Sequence, residues 1–175
     1  MQLHNHQLEG IHYLSSPNFD SRPGKEISLI VIHAISLPVG NYDTELICDL
    51  FTNQLDIKKD PSFSGLSELK VSSHLLITRT GQLIQFVPFN LRAWHAGVSN
   101  YNGRENCNDF SIGIELEGCD FDKFTEEQYS RLNECLQLLI HEYSIPRFNI
   151  VGHSDIAPGR KTDPGPYFDW NKISV

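Results

Sequence analysis

The sequence predicts an α/β protein with a mixed central β-sheet flanked by helices. Segments with the pattern of strands alternate with segments that have the pattern of helices, which is typical of α/β architecture. One predicted hairpin interrupts this alternation, so the sheet should not be purely parallel. The 175 residues contain no internal repeat and no low-complexity segment. Because a domain usually has about 100–200 residues, we expect residues 1–175 to form a single domain.

The composition excludes several classes of function. Hydrophobic residues make up 39% and charged residues 21%, as in ordinary globular proteins. The formal net charge of −8 argues against binding to nucleic acid or to an anionic membrane, since both require a basic surface. No apolar run approaches the ~20 residues of a membrane span, and the first 20 residues lack the pattern of a secretory signal. We therefore expect a cytoplasmic protein, with a monomer as the default state.

For the first half of the chain, the sequence predicts a strand, a helix and a hairpin, in that order. Residues 26–36, EISLIVIHAIS, form a short β-branched run that predicts a strand buried on both faces, with His33 near its carboxyl end. Residues 42–57 place apolar side chains on one helical stripe, after Asp43 or Thr44 as a cap. Residues 70–89 contain two β-rich runs around Thr80-Gly81, the pattern of a tight hairpin.

The second half predicts a strand, a long helix and a final strand. Residues 111–118, SIGIELEG, alternate apolar side chains with small residues and carboxylates, so one face should pack while the other leaves room for a ligand. Residues 125–146 begin with Thr125 and Gln128 in capping-box spacing and end before a proline. FNIVGH predicts a buried strand that ends at His153. The segment 153–166 is so rich in Pro and Gly that we expect neither helix nor strand there.

Two histidines and one aspartate suggest a zinc site at the strand ends. Catalytic zinc is held by three nitrogen or oxygen donors, and a fourth position stays open to water. His33 and His153 end two predicted strands, and Asp163 lies one proline-restricted loop after His153. Each has a structural alternative, because such a histidine is often a hydrogen-bonded core residue and an aspartate before proline often caps a turn.

Acid–base residues accompany this site. A carboxylate on the open face of the 111–118 strand could move protons during amide hydrolysis. Glu115 and Glu117 share that face, so the alternation does not distinguish them. Lys161 could supply a cation that stabilises an oxyanion, whereas Arg160 is expected to be a solvated surface residue.

Four segments closely resemble the zinc amidases of the N-acetylmuramoyl-L-alanine amidase type 2 family. They are VIHAISLP, SSHLLITRTGQLIQFVPFNLRAWHAGVS, GRENCNDFSIGIELEG and GHSDIAPGRKTDPGPYFDW, and the resemblance extends over about residues 10–170. It implies the fold of peptidoglycan recognition proteins, zinc ligands at His33, His153 and Asp163, and catalytic roles for Glu115 and Lys161. The pattern is most similar to cytoplasmic members that act on an anhydromuropeptide substrate. The implied reaction is hydrolysis of the amide between the lactyl group of 1,6-anhydro-N-acetylmuramic acid and L-alanine, in peptidoglycan recycling.

Among the residues expected to bind substrate, the chain departs from the family pattern. Ala34 stands where close members have asparagine, so a hydrogen bond to the sugar would be lost. Lys70 and Asn106 stand where arginines are expected to hold peptide carboxylates. His74, Trp94 and His95 could form a wall of the groove or pack in the core, and Arg104 could meet a carboxylate or remain solvated.

Two other functions stay open at this point. Proteins of this fold also include non-catalytic peptidoglycan-binding modules, which would have no need for a complete set of ligands with Glu and Lys. An amidase that acts on intact cell wall is the second alternative.

Overall fold

The structure, a computed structural model, describes residues 1–175 and contains twelve strands and three α-helices. In chain order through the first half these are β1 (Leu3–His4), β2 (Gln7–Leu8), β3 (His12–Tyr13), β4 (Phe19–Ser21), β5 (Leu29–Ile35), α1 (Thr44–Phe51), β6 (Leu75–Ile77) and β7 (Leu83–Gln85). The second half contains β8 (Leu91–Ala93), β9 (Asn100–Tyr101), β10 (Arg104–Glu105), β11 (Ser111–Glu117), α2 (Glu126–Tyr143), β12 (Ile150–Gly152) and α3 (His153–Ile156).

The central sheet has six strands in the order β12-β5-β11-β6-β7-β3. The neighbours of β5 and β11 all run parallel to them, whereas β6 and β7 form an antiparallel hairpin. The sheet is therefore mixed, as the sequence predicted. The neighbouring parallel strands β12, β5 and β11 end at the same edge.

The sheet is covered on both faces. On one face the long helix α2 packs against alternate residues of β5 and β11, including Ile30, Ile32 and Ile114. On the other face Leu29 and Val31 of β5 pack against Phe110 and Ile156. A separate apolar cluster joins α1 to the hairpin on this second face. This two-sided burial explains why residues 29–32 are continuously apolar.

The predicted strands and helices are confirmed, with changes at some boundaries. The helix predicted over 42–57 ends at Phe51, because Thr52 caps it and Asn53 adopts the left-handed conformation with φ of 60°. Asp43 is its N-cap. The prediction that 153–166 contains no helix is wrong for its first four residues. The carboxylate of Asp155 accepts the N–H of Gly152 at 2.7 Å and so stabilises the single turn of α3.

No α-helix of the structure is both long enough and apolar enough to cross a lipid bilayer. All four cysteines are free. Cys107, Cys119 and Cys135 are buried, and Cys48 is partly buried.

The capping box of α2 generates a stability prediction. The Thr125 hydroxyl accepts the N–H of Gln128 and donates to the carbonyl of Arg79 at 2.8 Å, so it joins the helix to the hairpin turn. Thr125→Ala should lower the free energy of unfolding by about 1–2 kcal/mol, measured by urea denaturation. Ser130→Ala, at an exposed position of the same helix, should change it little. Equal effects of the two variants would contradict the capping role.

Candidate active site

The parallel register of the central strands brings the predicted catalytic residues together. Glu115 of β11 pairs directly with His33 of β5, and Gly152 of β12 pairs with Ile32. His153 follows Gly152 and so lies beside His33. Three neighbouring strand ends thus present His153, His33 and Glu115 at one edge of the sheet, which is where open α/β sheets usually bind ligands.

Three donor atoms converge at this edge. The Nδ1 atoms of His33 and His153 lie 2.9 Å apart, and each lies 3.1 Å from Oδ2 of Asp163. The loop that carries Asp163 is held against α3, since the carbonyl of Asp163 accepts the N–H of Ser154 at 2.9 Å. These three side chains form the only cluster of three or more His, Cys, Asp or Glu residues with the spacing of a metal site.

The protonation of the cluster suits metal binding. Burial, together with the neighbouring His153, lowers the pKa of His33 to about 4 against the opposing effect of Asp163. His33 is therefore neutral at physiological pH, as a metal ligand must be. Burial would raise the pKa of Asp163, but the adjacent imidazoles of His153 and His33 hold it well below its usual range. Asp163 is a carboxylate.

The outward nitrogens of both histidines have partners. Nε2 of His33 lies 2.9 Å from Nδ1 of His95, and Nε2 of His153 lies 3.0 Å from the carbonyl oxygen of Ala96. A carbonyl only accepts, so Nε2 of His153 carries the proton and its Nδ1 presents a lone pair.

Glu115 is a buried carboxyl with an unpartnered oxygen. It is 8% exposed, and its Oε2 has no hydrogen-bond partner. Burial raises the pKa of Glu115 well above its usual value, the charge of Asp163 raises it further, and Lys161 opposes both. A buried carboxyl with a raised pKa is suited to act first as a general base and then as a general acid.

The structure shows which of Glu115 and Glu117 belongs to the site, whereas the alternation of residues along β11 does not distinguish them. Both carboxylate oxygens of Glu117 are occupied, one by the hydroxyl of Thr44 and the other by the N–H of Arg79 at 2.7 Å. Glu117 does not line the cavity of the site, whereas Glu115 does. Glu117 therefore joins α1, the hairpin and β11.

Lys161 and Arg160 reach the site from the loop after α3. Lys161 lies at the exposed rim of the cavity, and its charge lowers the pKa of both Glu115 and His33. Arg160 is exposed as expected, yet its guanidinium donates to the carbonyls of Ala96 at 2.6 Å and Val98 at 2.7 Å. Arg160 thus fixes the 96–98 loop instead of being merely solvated.

A cavity of about 300 Å³ contains this chemistry. Besides the residues above, Trp94 and His95 line it, together with Ala34, Ile35, Leu50, Phe51, Leu69, Val71, Ser72 and Gly97. Nε1 of Trp94 is buried without a protein partner. A larger groove of about 790 Å³ lies between the amino terminus, the hairpin turn and α2, but no comparable set of donor atoms converges in it.

The other residues expected to bind substrate lie outside this cavity. His74 is completely buried; its Nδ1 accepts the N–H of Gly113 at 3.0 Å and its Nε2 donates to the carbonyl of Leu91. Lys70 lines an adjacent groove beside Leu69. Arg104 forms an exposed ion pair with Glu26 and covers the ring of Phe110, and Asn106 lies with Arg160 in another adjacent groove.

The expected space on the polar face of β11 is filled by the protein itself. A Cβ atom at Gly113 would lie 2.4 Å from Cγ of His95, so glycine is needed for the imidazole to pack there. Ser111, on the same face, contacts Nε2 of His95 at 3.1 Å. The prediction of a ligand beside these small residues is therefore wrong at Gly113. Asn108, which no sequence pattern indicated, contacts the same region through the backbone of His95 and Ala96.

The donor set fits a zinc ion. Zinc in proteins takes nitrogen and oxygen ligands at about 2.0–2.2 Å, which places tetrahedral ligand atoms ~3.3 Å apart. The three donor atoms here are 2.9 to 3.1 Å apart, and the unpartnered oxygen of Glu115 lies in the same cavity. Two lone-pair nitrogens and a carboxylate in contact need a cation or a proton between them, which supports this fit.

Comparison with known proteins identifies relatives over the whole chain. Residues 23–166 match the family model of N-acetylmuramoyl-L-alanine amidase. The chain is 49% identical over 176 residues to 1,6-anhydro-N-acetylmuramyl-L-alanine amidase AmpD of Escherichia coli (strain K12), covering 100% of this chain and 96% of that protein.

Two solved structures give the same picture. A crystal structure of a selenomethionine AmpD derivative superposes with a TM-score of 0.96 at 49% identity, covering 99% of this chain and 97% of the other. The amidase AmiD from E. coli was solved with anhydro-N-acetylmuramic acid-L-Ala-D-γ-Glu-L-Lys. It superposes with a TM-score of 0.63 at 30% identity, and the match covers 95% of this chain and 59% of the AmiD chain. The chain therefore belongs to the N-acetylmuramoyl-L-alanine amidase family.

Proposed function

We propose that this protein is a zinc-dependent amidase of peptidoglycan recycling. It hydrolyses the amide bond between the lactyl group of 1,6-anhydro-N-acetylmuramic acid and the L-alanine of the stem peptide. The observation that carries this proposal is the meeting of His33, His153 and Asp163 with an unpartnered, buried Glu115 in one cavity. A module that only bound peptidoglycan would have no use for a desolvated carboxyl beside three converging donors.

The substrate follows from the relatives. The E. coli protein that is 49% identical over nearly its full length carries the name of an anhydromuramyl-L-alanine amidase, and AmiD was solved with an anhydromuramyl peptide. Inside the cavity, Trp94 offers an indole N–H without a protein partner, which we assign to a substrate oxygen. Lys70 and Asn106 lie in the adjacent grooves, where we place the stem peptide.

His33, His153 and Asp163 would hold the zinc ion. When bound, zinc supplies Lewis-acid chemistry, since it lowers the pKa of water and polarises a carbonyl group. Glu115 accepts the proton of the water molecule that adds to the carbonyl carbon of the lactyl group. It then delivers this proton to the alanine nitrogen as the C–N bond breaks, so the products are a free amine and a carboxylic acid, which then releases its proton to solvent.

Lys161 supplies positive charge at the rim of the same cavity. Its ammonium acts on Glu115 and His33 from the side of the loop 157–163. We place it next to the carbonyl oxygen, where it stabilises the negative charge that develops during addition of water.

Asp163→Ala should abolish hydrolysis while the fold is retained. We expect the rate of peptide release from an anhydromuramyl tripeptide to fall by more than about 100-fold, because loss of an outer partner of a ligand alone costs about 10–100-fold. The products are identified by mass spectrometry, with and without a chelator. Asp169→Ala, which removes an exposed carboxylate that only caps a turn, should leave the rate unchanged.

The outcomes of this assay separate the alternatives. Chelator-sensitive release from the small fragment alone supports the recycling amidase, and equal release from intact peptidoglycan would indicate a broader enzyme. Binding without cleavage would instead indicate a recognition module. Full activity of Asp163→Ala would contradict the ligand assignment.

Glu115→Gln should remove activity and increase the stability of the metal-free protein. Because the folded-state pKa of Glu115 is raised, the ionised form opposes folding, and stability is lost as the pH rises. In the presence of a chelator at pH 8, we expect the free energy of unfolding of the variant to exceed that of wild type by at least about 1 kcal/mol. The difference should vanish toward about pH 4, the usual pKa of an unfolded glutamate.

Glu117→Gln is the matched control on the same strand. Its carboxylate has partners on both oxygens, so the substitution should lower stability at pH 8. Urea denaturation of the three proteins measures both effects. A Glu115→Gln variant less stable than wild type at pH 8 would contradict the inference that the buried, ionised Glu115 opposes folding.

A further inference from the structure

One dipeptide, His95-Ala96, contacts the Nε2 atoms of both histidines of the donor cluster. His33 Nε2 contacts the ring of His95 at 2.9 Å, and His153 Nε2 donates to the carbonyl of Ala96 at 3.0 Å. Partners of this kind fix the tautomer and the ring orientation of metal-binding histidines. The position of this dipeptide therefore determines where both Nδ1 lone pairs point.

The ring of His95 is fixed in the orientation that this role requires. To leave the Nδ1 lone pair of His33 free, Nε2 of His33 must carry the proton and donate it to Nδ1 of His95. Nε2 of His95 then carries a proton, and it has an acceptor in the hydroxyl of Ser111 at 3.1 Å. Gly113 provides the space in which the imidazole lies.

Both backbone N–H groups of the dipeptide are bound by a single side chain. Oδ1 of Asn108 accepts the N–H of His95 at 3.1 Å and the N–H of Ala96 at 2.8 Å. Asn108 is 8% exposed, and its own carbonyl accepts a hydrogen bond from the partly buried Arg22 at 2.9 Å. It belongs to the short 3₁₀ turn Cys107–Asp109 that precedes β11. It does not line the cavity of the site.

We propose that Asn108 is a positioning residue of the metal site, which acts through His95-Ala96 to hold His33 and His153 in their ligand geometry. This inference rests on the proposed function, because it takes those histidines as zinc ligands. Asn108 touches neither substrate nor metal. Its removal should therefore weaken metal affinity, and a purely structural asparagine should not.

The test compares the zinc affinity of wild type with that of Asn108→Ala, Asn108→Ser and Asn108→Asp. Zn²⁺ alone is the probe, in competition with a chromophoric chelator at one neutral pH. Alanine lacks the acceptor and serine is too short to reach both N–H groups, so we expect affinity to fall by about 10–100-fold in both. Aspartate keeps an acceptor at the same position and should retain affinity close to wild type.

Asn18→Ala is the matched control. Asn18 is also buried, and its amide donates to the carbonyls of Phe51 and Val71, but it makes no hydrogen bond to the donor cluster or to His95-Ala96. This variant should have a lower melting temperature as the metal-free protein but wild-type zinc affinity. Melting curves recorded with chelator establish that each variant is folded, and Asn108→Ser keeps the test valid if the alanine variant does not fold.

Several results would overturn the inference. These are wild-type affinity in a folded Asn108→Ala or Asn108→Ser variant, an aspartate variant as weak as alanine, and an equal loss in Asn18→Ala. Failure of the wild-type protein itself to bind zinc would instead refute the proposed function, so the two failures are distinguishable.

Discussion

The parallel pairing of β12, β5 and β11 is the constraint on which the site depends. It aligns Glu115 with His33 and places His153 at the end of the next strand. A shift of one residue in this register would turn His33 toward α2 and Ile32 toward the cavity, since successive side chains face opposite sides of a strand. The apolar residues on both faces of β5 prevent this shift. It would remove side chains from one apolar cluster of the sheet and crowd the other. The core therefore fixes the geometry of the chemistry.

This arrangement places polar groups where burial is costly. Glu115 lacks a partner for one oxygen, and His33, His74 and His95 are buried imidazoles whose pKa values burial lowers. The surrounding structure compensates with directed hydrogen bonds, as at the hydroxyl of Ser111 and the carbonyl of Ala96. Glu115 has no such compensation for its unpartnered oxygen. A buried carboxyl of this kind lowers the stability of the fold and is typical of a catalytic site.

The sequence predicts the fold and the reactive side chains well because local patterns determine them. Strand β5, the capped helix α2 and the hairpin follow from periodicity, and family motifs indicate the donors. The choice between Glu115 and Glu117 instead depends on what surrounds them, since only the fold shows that Thr44 and Arg79 occupy Glu117. Asn108 escapes prediction because its role arises from backbone N–H groups twelve and thirteen residues away. Helix α3 was missed because one carboxylate cap outweighs the Pro and Gly that follow it.

We expect one zinc ion between His33, His153 and Asp163. Anomalous diffraction at the zinc absorption edge from crystals of the zinc-loaded protein would locate it. One strong anomalous peak is expected within bonding distance, about 2.0–2.2 Å, of Nδ1 of both histidines and Oδ2 of Asp163. A peak bound elsewhere, or ligation through the Nε2 atoms that face His95 and Ala96, would contradict it.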